Sequence, residues 1–110
     1  MPPVLQLGEF EVLVVLAVLQ LGDEAIGSRV RDEIERRVGR EVSRGAVYVT
    51  LERLEEKGQL ASRQLPGGPG RAGRPKRVFR VTTAGIKHVK HSIAAVARMH
   101  EGLEPLLGDL

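Results

Sequence analysis

Apolar residues in the first part of the chain recur at spacings of three and four, the period of a helix rather than of a strand. From Gly8 to Leu21 the positions Phe10, Leu13, Val14, Ala17 and Leu21 form one face, and Val12, Val15, Leu16 and Val18 make the segment apolar nearly all round. Such a helix must be buried on more than one side. In a chain of 110 residues the second side is expected to belong to a partner subunit. Gly22-Asp23 interrupts the pattern. A second helix is predicted from about Gly27 to Val38, with Ile26, Val30, Ile34 and Val38 as its stripe and Gly39 beyond its end. A third starts at Ser43, a favoured N-cap, runs to Lys57 and stops at Gly58; Val47, Leu51 and Leu54 mark its buried face.

The pattern then changes. Leu60 to Leu65 and Arg77 to Thr82 read as two short strands, with Phe79 and Val81 on one face of the second and Val78 and Arg80 on the other. Between them the Gly- and Pro-rich segment Pro66 to Pro75 is a loop by composition. The last helix is predicted from near Thr83 towards Leu107. Ile86, Val89, Ile93, Val96, His100, Leu103 and Leu107 alternate spacings of three and four along it, a heptad seam. A seam of about three heptads is marginal alone. It either lies on its own domain or dimerises, and dimerisation is preferred because nothing else in the chain is available to bury it. The expected fold class is mainly α with a small β-hairpin. Residues 1–82 are expected to form a winged helix-turn-helix domain of the DNA-binding kind, for the reasons that follow, and residues 83–110 a C-terminal dimerisation helix.

Charge sharpens this reading. The formal net charge is +3, but Arg63, Arg71, Arg74, Lys76, Arg77 and Arg80 fall in one stretch without an acid, so the rest of the chain is net negative. A local positive field is what a phosphate-binding surface needs. There is no cysteine, which excludes disulfides, thiolate metal sites and a Cys nucleophile. The apolar run Val12 to Leu19 is too short to span a bilayer. Glu9 and Glu11 precede it, where a secretory signal carries Lys or Arg. A cytoplasmic protein without membrane contact is expected.

Three helices followed by a basic hairpin is the order in which the third helix enters the major groove of double-stranded DNA and the hairpin reaches adjacent backbone or minor groove. With Val47 facing inward, Gly45, Val49 and Glu52 point outward, flanked by Tyr48 and Arg53. Ser43 and Arg44 lie at the helix start, where the dipole and free N–H groups favour phosphate. Gly45 costs about 1 kcal/mol of helix propensity against Ala, which close approach to DNA or close packing on the second helix would equally explain. Tyr48 either contacts DNA or is a boundary residue with its ring half in the core; DNA contact is favoured because Val47 and Leu51 already fill the core. Arg71 and Arg74 suit a minor groove, and Lys76 and Arg77 phosphates. The dimer interface is expected at Phe10, Val14, Ile86, Val89, Ile93, Val96, His100, Leu103 and Leu107.

The motifs Leu7-Gly8-Glu9, Leu21-Gly22-Asp23-Glu24-Ala25, the run from Gly39 through Gly45-Ala46-Val47-Tyr48 to Glu56-Lys57-Gly58, and the run from Gly73 to Gly85 resemble the PadR family of transcriptional regulators over about residues 7 to 90. The resemblance implies a homodimer with one winged helix-turn-helix per subunit, repression more often than activation, and control by a small-molecule effector in some members. The single C-terminal helix resembles the short-tailed subfamily, which dimerises through the first and last helices. The sequence departs from the family where Ile26 replaces a frequent Tyr and where the pair Val78-Phe79 stands in place of two frequent aromatics.

Two rivals differ in class. His88, His91, His100 and Glu104 allow a metal site to be drawn on the last helix, but exposed helix histidines are usually polar surface; there is no nucleophile–base pair, and no enzyme, metal or cofactor is expected. A winged helix that binds protein instead of DNA is the second rival. Such domains usually lose the basic wing, which this chain keeps.

Overall fold

The structure, a computed structural model, describes residues 7–66 and 76–108. Helix α1 spans Glu9–Leu21, α2 Gly27–Val38, α3 Arg44–Glu56, α4 Thr83–His100 and α5 Glu104–Leu107. A single 3-10 turn, Gly22–Glu24, follows α1. Strands β1 (Leu60–Leu65) and β2 (Lys76–Val81) pair antiparallel, from Leu60 opposite Val81 to Leu65 opposite Lys76. Among the described residues no helix is long and apolar enough to cross a membrane.

The apolar spacings build one core. Val14, Val15 and Val18 of α1 meet Val30 and Ile34 of α2, Val47, Leu51 and Leu54 of α3, and Leu60 and Phe79 of the hairpin. Val89 of α4 joins the same cluster. Phe79, at 1% exposure, contributes on the order of 2–3 kcal/mol through burial. Its backbone N–H donates to the Ala25 carbonyl at 2.9 Å, so the segment before α2 is stitched to the wing.

Local chemistry sets the helix ends. Ser43 Oγ accepts from Ala46 N at 3.0 Å and caps α3. Gly39 ends α2 with φ 71°, a left-handed turn that glycine enters without the usual β-carbon penalty. Thr82 caps α4 by accepting from Gly85 N at 3.1 Å, and its hydroxyl donates to the Gly58 carbonyl at 2.7 Å. Gly85 is pressed on the α3–β1 corner: a β-carbon there would lie 2.1 Å from the Gln59 carbonyl oxygen. At the other end of the molecule Ser92 Oγ of α4 accepts from Leu7 N at 2.9 Å in a buried setting. Helix α4 is thus tied to the end of α3 and to the segment entering α1.

The last helix departs from expectation. It is not continuous to Leu107. It stops at His100, Gly102 takes φ 86°, and one short helical turn, α5, follows. Pro105 gives the reason. In a continuous helix it would lack the N–H for the Glu101 carbonyl and its ring would collide there. Leu103 and Leu107 therefore do not extend the α4 seam, though both are exposed.

Candidate nucleic-acid interface

Helix α3 turns two different faces outward and inward. Val47, Thr50, Leu51 and Leu54 are buried; Arg44, Gly45, Glu52 and Arg53 are exposed, with Tyr48 at 42% and Val49 at 56%. Its first turn carries no acid, so the helix N-terminus presents partial positive charge without a competing carboxylate. A β-carbon at Gly45 would meet nothing within 4 Å. Close packing on α2 is therefore not why a glycine stands there. Tyr48 divides its ring between the two expected settings, being part exposed and part seated on Gly27 of α2.

The wing residues separate. Arg71 and Arg74 lie outside the described residues. Lys76, half-buried at the start of β2, shares a polar cleft with Ser28, Arg29, Asp32 and Arg36 of α2. Arg77 is not free for phosphate as expected. Its guanidinium is ion-paired with Glu55, lies 3.4 Å from Glu52, donates to Ser62 Oγ at 3.2 Å and stacks 4.9 Å over the Phe79 ring. Strand alternation explains this: Arg77 and Phe79 share the face turned to α3. Arg63 and Arg80 take the opposite face with Val78, and both are exposed. Beside them a cleft of about 270 Å³ runs between Val78, Val18, Leu19 and Asp23.

On α2, Glu33 accepts from Arg37 and from Arg36 Nη2, the latter at 2.8 Å. The hydrogen bonds from Arg37 first, and then Arg36, hold its carboxyl below the usual carboxylate range.

A second surface lies between α1 and α4. Leu7, Val12 and Leu13 face Ile93, Val96, Ala97 and His100 across an open, mostly apolar groove of about 490 Å³. Three residues expected at an interface are placed elsewhere. Val14 and Val89, at 0% and 3% exposure, are inside the core of their own subunit and have no surface to give. Phe10 instead turns to the α2–α3 connection, with the Arg40 guanidinium 5.6 Å from its ring centroid. Leu7, Val12 and Leu13 were missed as groove residues because a helix apolar on all sides does not reveal which side stays open. Ile86, Ile93 and Val96 remain exposed, and His100 is half-buried at the groove's end.

Residues 15–91 match the transcriptional regulator PadR-like family. Comparison with curated proteins gave no match. Among solved structures, a PadR family transcriptional regulator from Eggerthella lenta is 27% identical, covering 93% of this chain and 88% of that one with a TM-score of 0.68. A PadR family transcription regulator from Clostridium difficile is 18% identical, covering 92% and 100%, with a TM-score of 0.68. Bacillus subtilis PadR, solved in complex with operator DNA, is 16% identical, covering 77% of this chain and 47% of that one, with a TM-score of 0.64. These structures share the fold of this chain, and the family match spans most of the chain: it belongs to the PadR-like family of transcriptional regulators.

Proposed function

We propose that this regulator is a cytoplasmic repressor that binds an inverted-repeat operator in double-stranded DNA as a homodimer. Members of its family are transcription factors, not enzymes. The observation that carries the reading is the outward face of α3: Arg44, Gly45, Tyr48, Val49 and Arg53 are solvent-facing on a rigid, capped helix with no acid in its first turn. Val49 and Tyr48 suit base edges and thymine methyls, while Ser43 and Arg44 lie nearer the phosphates. Bacillus subtilis PadR, similar in fold, was solved with operator DNA, which supports the same mode here.

The homodimer follows from the arithmetic of recognition. One helix reads only a few base pairs, and a genome offers far more competing sites than that can exclude. A two-fold pair would read half-sites about one helical turn apart. The open α1–α4 groove and the exposed Ile86, Ile93 and Val96 support a second copy as the covering surface. A mobility-shift assay on the protein's own upstream region, at moderate and raised salt, tests the reading. Saturable binding that outcompetes random DNA supports it; equal binding to both overturns it.

A further inference from the structure

The ring of Tyr48 does not stand free on α3. It lies across the start of α2, where a β-carbon at Gly27 would come within 2.6 Å of Cζ and 2.7 Å of Cε1 and Oη. Carbon atoms pack at about 3.5–4.0 Å, so any side chain at position 27 must expel the ring. Gly27 is buried although it is the first residue of its helix, while Tyr48 keeps 42% of its surface in solvent. The glycine is thus a seat for a side chain that is otherwise on the outside of the molecule.

We propose that Gly27 is a positioning residue for DNA recognition. Its missing β-carbon fixes Tyr48 in one orientation across the α2–α3 junction before DNA arrives. An exposed aromatic on a helix otherwise samples several rotamers, and the one used in the complex must be selected at a cost in entropy. Seating the ring beforehand removes that cost. The benefit falls on operator binding, where the ring meets base edges, and not on phosphate contacts, which any DNA supplies. The inference rests on the reading above that Tyr48 faces DNA.

The test compares Gly27→Ala, Tyr48→Ala and the double variant on operator and random DNA. Alanine favours the helix, so the fold is retained, which thermal melting checks. Gly27→Ala is expected to weaken operator binding about tenfold, a loss of the size set by freeing one ordered side chain. Random-DNA binding and its salt dependence stay as in the wild type. The double variant binds operator no worse than Tyr48→Ala. Tyr48 is the single tyrosine and there is no tryptophan, so tyrosine emission reports this ring alone; acrylamide quenching should rise in Gly27→Ala. Three results overturn the proposal: full operator preference in Gly27→Ala, an equal loss on operator and random DNA, or a loss that persists undiminished in the Tyr48→Ala background. If Tyr48→Ala leaves operator preference intact, both the DNA role of Tyr48 and the seat proposal fall, while the wider reading of α3 stands; if the wild type shows no preference, that wider reading fails too.

Discussion

Arg77 of β2 is ion-paired with Glu55 of α3, and this pair fastens the root of the wing to the candidate recognition helix. Ser62 and Glu52 add hydrogen bonds from either side, and the Phe79 ring lies beneath the guanidinium. Arg77→Ala should therefore cost about 1 kcal/mol of stability, combining a part-exposed ion pair with a cation–π contact. Urea unfolding measures the loss. The slope of log K against log salt for DNA binding should stay unchanged, because this charge is used inside the protein.

Lys76 and Arg74 are expected to behave in the opposite way. Replacing both with Ala should weaken binding to all DNA sequences alike. The salt slope should flatten by about one to two phosphate contacts. An unchanged slope removes these residues from the phosphate-binding set.

Gly85→Ala tests the joint between α4 and the α3–β1 corner. The new methyl would meet the Gln59 carbonyl at 2.1 Å and Val81 Cγ1 at 2.8 Å. The first of these is backbone and cannot swing aside, so a loss of about 1–3 kcal/mol is expected, as for other overpacked sites. Thermal or urea denaturation reads it, and a variant as stable as wild type would show that α4 is not held there.

Glu33 gives a pH dependence with a defined sign. Its carboxyl is held below the usual range by Arg37 and Arg36. Stability from the charged form is therefore present above the unfolded-state pKa and lost as pH falls through the lower folded value. The melting temperature of wild type should exceed that of Glu33→Gln near neutral pH, and the gap should close in acid. Raised salt should narrow it as well, since both arginines are largely exposed. A gap that widens in acid contradicts the pairing.

Much of this fold is legible in the sequence, for a physical reason. Val47, Leu51 and Leu54 repeat at helical spacing, and Ser43 and Gly39 mark helix ends by local chemistry that does not depend on the rest of the chain. The heptad pattern misled at Leu103 and Leu107. Gly102 and Pro105 lie inside that pattern, and backbone chemistry prevails over apolar spacing. Periodicity also points Phe10, Val14 and Val89 towards an interface, yet it does not say whether an apolar side chain meets its own core or a partner. Arg77 reads as a phosphate ligand in the sequence because its acidic partners, Glu52 and Glu55, are far away along the chain. Gly27 gave no signal at all, since the ring that covers it comes from another helix.

The exposed end of the α1–α4 groove bears on assembly. Ile93 lines the groove and is 47% exposed, so Ile93→Asp should leave the subunit core intact and place a charge where the second copy is proposed to sit. Monomer with lost operator binding is the expected result by sedimentation and mobility shift. A variant that remains dimeric would move the interface elsewhere.

The face of α3 is proposed to read a specific DNA sequence, twice, through a two-fold dimer. The most direct test is a fluorescence-anisotropy titration of the protein on its own upstream region and on random DNA of equal length at physiological salt, with the stoichiometry fixed by sedimentation of the complex. Affinity for the upstream site at least about a thousandfold higher, with two subunits on one inverted repeat, is the predicted result; equal affinities, or one subunit bound at full affinity to a half-site, would contradict it.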